Sequence, residues 1–205
     1  MKKKLCLALS GALCLSAGVG CGTETTEETL TPVRLNEVVH SVFYAPQYVA
    51  QELDFFEEEG LDVSVAVGNG ADKSMTALLS DSADIALLGT EAGLYVYAEG
   101  KADYPKTFAQ LTQRAGNFLV SREEEPDFQW SDLERKSVIG GRLGGMPEMV
   151  LEYVIKENGM TIGKDMEIIN NIDFTSTAGA FLGEVGDYTV EFEPAATTLE
   201  QSGKG

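Results

Sequence analysis

The sequence predicts an α/β fold built on a mainly parallel sheet, and three observations predict it. From Val33 onward short apolar runs alternate with longer helical patterns, glycines or prolines punctuate the junctions, and strand–helix units recur about every 20–25 residues. The elements follow in order. Residues 33–39 form a strand, and Pro46 opens a helix over 46–59, where the missing N–H of proline costs little in a first turn. Gly60 stops that helix, and 61–67 alternates as a second strand. A helix over 73–79, a buried strand over 83–88 and a helix over 90–98 come next. Strands are expected at 107–112 and 117–121, then a strand at 136–140 and a helix at 147–157. The run ends with strand 166–170, helix 178–182, strand 188–192 and helix 194–201.

What precedes this pattern is of another kind. Lys2, Lys3 and Lys4 are followed by an uncharged stretch over 5–20, too short and too rich in Gly and Ser for a comfortable membrane span. Residues 1–20 have the layout of a secretory signal. The end of that stretch, Ala17-Gly18-Val19-Gly20-Cys21, resembles the lipobox of bacterial lipoproteins, which implies lipid on Cys21 as the new N-terminus. Gly18 departs from the usual Leu, and an ordinary cleaved signal with an incidental cysteine is the competing reading. Residues 21–32 then read as a lipidated start and a flexible, acidic, Thr-rich tether. The three cysteines, Cys6, Cys14 and Cys21, leave no disulfide or thiolate metal site for the folded part.

The chain has 15 basic and 33 acidic residues, a net charge of −18, and loss of Lys2, Lys3 and Lys4 with the leader makes it −21. That balance argues against nucleic acid and against direct adsorption on anionic lipid. It does not decide what a pocket binds, because a few nearby groups set a pocket's local field.

Four segments carry a resemblance. His40-Ser41-Val42-Phe43-Tyr44-Ala45-Pro46 precedes Phe55-Phe56-Glu57-Glu58-Glu59-Gly60-Leu61-Asp62-Val63; Gly68-Asn69-Gly70 precedes a helix, then Ala83-Asp84-Ile85-Ala86 and Gly89-Thr90-Glu91. A glycine-rich stretch, Gly140-Gly141-Arg142-Leu143-Gly144-Gly145-Met146-Pro147, and the turn Phe192-Glu193-Pro194 complete the set. Together they resemble the solute-binding proteins of the nitrate/sulfonate/taurine and thiamine-pyrimidine importer family. That resemblance implies an α/β fold of the type II periplasmic-binding-protein kind, two lobes with a hinge and a solute cleft between them. Its lobes would fall at 33–116 and 117–205, with a crossover near 115–120. Members are typically half as long again, so the second lobe and the return to the first are expected to be incomplete here.

The chemistry of such a cleft is legible without the family. Loops at the carboxyl ends of strands in open α/β sheets line the ligand crevice, and helix N-termini there favour anionic or electron-rich groups. The candidate ligand-binding residues are His40, Ser41, Tyr44, Asn69, Gly70, Thr90, Glu91, Arg114, Arg142, Gly144, Gly145, Met146 and Glu193. For most of them two readings stand. The glycine stretch lacks the Gly-x-Gly-x-x-Gly and P-loop spacings, so it is either a turn that lets a ligand approach backbone N–H groups or a structural turn. Tyr44 and Phe43 either stack on a planar ligand or pack in the core. Glu91 and Glu193 either accept from a ligand amino group or sit where a helix dipole favours a carboxylate. Arg114 is an anion partner or a hinge ion pair, Arg142 adds charge to the site or points to solvent, and His40 alone makes no zinc site.

No catalytic motif is present, so the expectation is a binding protein, not an enzyme, with no cofactor and no metal. The family's intracellular pyrimidine synthases use a cysteine-rich motif that this chain lacks. The implied partners are a small-molecule solute, an ABC permease with its ATPase, and a membrane reached through the N-terminal lipid at the extracytoplasmic face. A ligand sensor or a non-transporting remnant is the alternative.

Overall fold

The computed structural model describes residues 29–114 and 116–205, so the expected signal, Cys21 and most of the tether lie outside the described residues. The described chain builds two sheets. In the first, β1 (Thr31–Glu37), β2 (Leu61–Val67) and β3 (Ile85–Leu87) lie in the order β2-β1-β3, all parallel. Thr31 faces Leu61 and Leu35 faces both Val65 and Ile85. Parallel neighbours need crossovers, and helices supply them. Helices α1 (Ala45–Glu52) and α2 (Phe55–Glu58) join β1 to β2, and α3 (Ala71–Leu79) joins β2 to β3, after which α4 (Thr90–Ala98) leaves the sheet.

One expected helix is two. The stretch 46–59 breaks at Asp54, whose left-handed φ of 57° cannot continue a right-handed helix. Gly60, at φ 76°, then turns the chain into β2, and its carbonyl accepts the N–H of Thr31. The strand expected at 107–112 does not form: the segment joins neither sheet, because apolar alternation sets only a face and pairing needs a free neighbour.

The second sheet holds β4 (Asn117–Ser121), β5 (Ser137–Ile139), β6 (Glu167–Ile169) and β7 (Tyr188–Phe192) in the order β4-β7-β5-β6. Only β4 runs antiparallel, with Asn117 opposite Phe192. The expected crossover near 115–120 is therefore mostly β4; Ala115 is not described. Helices α5 (Met146–Glu157), α6 (Thr177–Leu182) and α7 (Ala195–Gln201) cover the sheet. Strand β5 is buried on both faces, as a central parallel strand must be. Val138 packs with Leu133, Leu151, Ile155 and Tyr188 on one side, and Ile139 with Phe181 and Leu199 on the other. Arg122 ties this layer together, stacking 4.1 Å over the Phe181 ring and donating to the carbonyls of Phe181, Val185 and Gly186. The predicted α/β class is the observed one. No helix among the described residues is long and apolar enough to cross a membrane.

Candidate functional site: a cleft between two sheets

The first-sheet strands deliver the loops after β1, β2 and β3 to one end, where they face the glycine stretch after β5 and the turn after β7. Between them lies a cleft of about 540 Å³. Its walls are largely apolar and aromatic, with Phe43 and Tyr44 from the first lobe and Phe174 and Phe192 from the second. Phe43 and Tyr44 lie 5.7 Å apart between ring centroids, and so do Phe174 and Phe192. Tyr44 is both wall and core: it is buried, and burial, with help from the nearby Glu37, pushes its hydroxyl pKa up to about 12.

Sequence held the two readings of Glu91 level; the structure shows an exceptional position. The carboxylate is 4% exposed and lies in the cleft wall, and its Oε2 has no hydrogen-bond partner. Burial raises its pKa, opposed by its own N–H, by the Met146 N–H at the start of α5, and by Arg142. Glu91 therefore stands between the N-termini of two helices from opposite lobes. The side chain folds back over Gly89, where any Cβ would collide with the carboxylate.

The glycine stretch is mostly a turn whose amides are already used. Gly140 and Leu143 donate to the Ile169 and Asn170 carbonyls, and Gly145 donates to Arg142. Gly144 donates to the buried Glu148, 3.1 Å away. Gly140 has no room for a side chain, since a Cβ would stand 2.6 Å from Ile168 Cγ2.

Arg142 is not free in solvent. It pairs with Asp72 of α3 at 3.3 Å, across the cleft, while Lys73 reaches Asp173 at 3.5 Å. Tyr95 of α4 donates to the Gly144 carbonyl at 3.0 Å. The lobes thus meet through polar contacts at the rim while the interior stays apolar.

Behind the cleft, another buried carboxylate organises the 40–48 segment. Glu37, at the end of β1, is 0% exposed and accepts from Gln47 Nε2, Tyr48 Oη and His40 Nδ1, each at 2.9 Å. Tyr48 in turn accepts the Ser41 N–H at 3.2 Å. This network fixes the short helix Val42–Tyr44 that carries the two cleft aromatics.

Of the candidate residues, Tyr44, Gly70, Thr90, Glu91, Arg114, Arg142, Gly145 and Met146 line the cleft together. Five sit elsewhere. His40 turns to Glu37, and Ser41 is buried and donates 2.6 Å to the Glu193 carbonyl across the lobes. Asn69 takes a left-handed turn at φ 58°, and Gly144 packs under the Tyr95 hydroxyl. The Glu193 carboxylate accepts from Thr197 in the first turn of α7. Sequence reasoning missed Asp72, Glu148, Phe174 and Phe192. Phe192 had a signal, since it opens the Phe192-Glu193-Pro194 turn that carries part of the resemblance.

The family description "NMT1/THI5 like" matches residues 42–204. A Bacillus subtilis (strain 168) protein, YtlA, whose name describes it provisionally as a binding protein, is 51% identical over 179 residues, which is 87% of this chain and 54% of the relative. Among solved structures, the periplasmic aliphatic sulphonate binding protein SsuA from Escherichia coli shares the fold at TM-score 0.60 and 14% identity, over 84% of this chain and 58% of that one. The ligand-binding component of an ABC-type import system from Staphylococcus aureus, a structure with zinc bound, aligns at TM-score 0.62 and 15% identity, over 85% and 58%. The chain thus spans about half the length of the relatives it matches.

Proposed function

We propose, from the premise that the chain belongs to the NMT1/THI5-like family, that it is an extracytoplasmic solute-binding protein serving an ABC importer. It holds a small solute in the cleft between its lobes and hands it to a permease driven by an ATPase. Lipid on Cys21 and the tether over 22–31 keep it beside that permease. It performs no reaction of its own.

The observation that carries the ligand class is the buried Glu91 oxygen without a partner in an aromatic-walled cleft. A buried carboxylate oxygen lacking a donor asks for one from the ligand, and flat aromatic walls suit a planar ring. The solute is therefore a planar amino-heterocycle, of which a thiamine-type pyrimidine is an example, in preference to a sulfonate, nitrate or taurine-like anion. Arg142, the residue that favours an anion, is engaged by Asp72.

Isothermal titration of the purified chain with a 4-aminopyrimidine and with ethanesulfonate tests this. Binding of the heterocycle that is lost in Tyr44→Ala and kept in Arg142→Ala is the expected result. Binding of ethanesulfonate alone refutes the ligand class. For the anchor, Cys21→Ser in the full precursor is expected to leave the membrane fraction, and a variant still lipidated there refutes that part.

A further inference from the structure

Helices α4 and α5 bring their first residues, Thr90-Glu91 and Met146-Pro147, into the lining of one cleft from opposite lobes, and both are long enough, at 9 and 12 residues, to present a developed dipole. Met146 and Arg142 line the same cleft as Glu91, and both favour its charged form. Pro147 has no N–H, and neither helix carries a side-chain cap. Two uncapped helix ends and an arginine make an environment suited to an oxyanion. It is already filled. The Glu91 carboxylate lies there, folded over Gly89 with its Oε2 left unpartnered.

We propose that Glu91 is a specificity-determining residue that occupies the cleft's own oxyanion seat, so that the protein rejects anionic solutes and presents an acceptor in their place. This rests on the solute-binding reading and goes beyond it by naming the residue that sets the sign of the ligand. The physical reason is substitution of one anion for another. A bound sulfonate would stand beside a carboxylate that shares its donors, and like charges at hydrogen-bond range repel strongly in a site of low dielectric. Removing the carboxylate takes away the anion over the start of α4, while Asp72 still holds Arg142 and Glu148 still accepts the Gly144 N–H. Asp72 does not replace it, since it engages Arg142 from the α3 side of the rim with its side chain about half exposed.

The cleft therefore holds the donors of an anion binder and the ligand preference of a cation or amine binder. A single side chain separates the two.

Titration calorimetry of the purified chain, its Glu91→Ala variant and its Glu91→Gln variant tests this, using ethanesulfonate and a 4-aminopyrimidine as probes. The wild type is expected to show no heat with ethanesulfonate. Glu91→Ala is expected to gain at least about ten-fold in affinity for it, the order that a vacated helix N-terminus supplies, and to lose the aminopyrimidine. Glu91→Gln keeps the shape, loses the charge and is expected to fall between them; it carries the test if the alanine variant fails to fold by circular dichroism. Ethanesulfonate binding by the wild type as tight as by the variants overturns the inference. Aminopyrimidine binding by the wild type with no anion gained by either variant also overturns it, and leaves the solute-binding reading standing. Absence of binding by any form with either probe overturns both.

Discussion

Replacing Glu37 with alanine removes the acceptor of three donors at once, and the structure allows the cost to be worked out. His40 contributes little, because its side chain is 71% exposed and water replaces the carboxylate. Gln47 is buried and Tyr48 Oη bonds the same Oε2, so two charge-assisted hydrogen bonds are lost where solvent is scarce. Hydrogen bonds to charged groups contribute about 1.5–3 kcal/mol each. Relief from burying the carboxylate returns part of that. A net loss of about 3 kcal/mol follows, a large share of the roughly 5–15 kcal/mol that holds a domain together. With a urea slope of about 2 kcal/mol/M, the unfolding midpoint falls by about 1.5 M. Urea titration followed by circular dichroism reads it, and an unchanged slope shows that stability alone has moved. Glu37→Ala in a Gln47→Ala background is expected to cost distinctly less than in the wild type, because the shared bond is already gone. A midpoint shift under about 0.5 M, or additive effects in that cycle, refutes the role given to this carboxylate.

Three further outcomes are expected. Gly140→Ala forces a methyl against the β-branched Ile168 and against Leu151 Cδ2, 3.3 Å away, and overpacking of this kind costs about 1–3 kcal/mol in the same urea assay. Burial raises the pKa of Glu191 in β7, opposed by the Thr189 hydroxyl. A raised carboxyl is fully stabilising below its unfolded value and loses that contribution as pH rises through the folded one. Glu191→Gln is thus expected to melt above the wild type at pH 7 and level with it near pH 4; a constant difference at both refutes this. Asp72→Ala releases Arg142 from the rim, and for a half-exposed pair the expected effect is small, about two- to three-fold weaker solute binding by titration, diminishing with added salt.

The local code of the chain is readable where one residue type has one physical meaning. Strand β2, helix α4, strand β4 and strand β7 fall where periodicity puts them. The prolines at 46 and 147 do enter first turns, and Gly60 does close its helix with a positive φ. Reading failed where a partner elsewhere decides. The 107–112 segment has strand-like alternation and no neighbour to pair with. Asp54 breaks a helix by adopting a left-handed conformation that its residue type permits but does not require.

At the cleft, sequence alone assembled the right loops, because strand ends and helix starts in an α/β order must converge. It selected Tyr44, Glu91, Arg142 and Met146, which do share one cavity. It left their states open, and the reason is physical. Whether Glu91 is solvated or buried and whether Arg142 is free or held by Asp72 depend on groups far away in the chain, and the Gly140 amide is spent on Ile169 of a neighbouring strand. Hydrophobic periodicity is a property of neighbours in the chain, so the sequence determined the α/β class and the order of elements. Desolvation and pairing are properties of neighbours in space, so the packing of the two sheets sets which carboxylate oxygen is left without a partner, and with it the sign of the ligand proposed for the cleft.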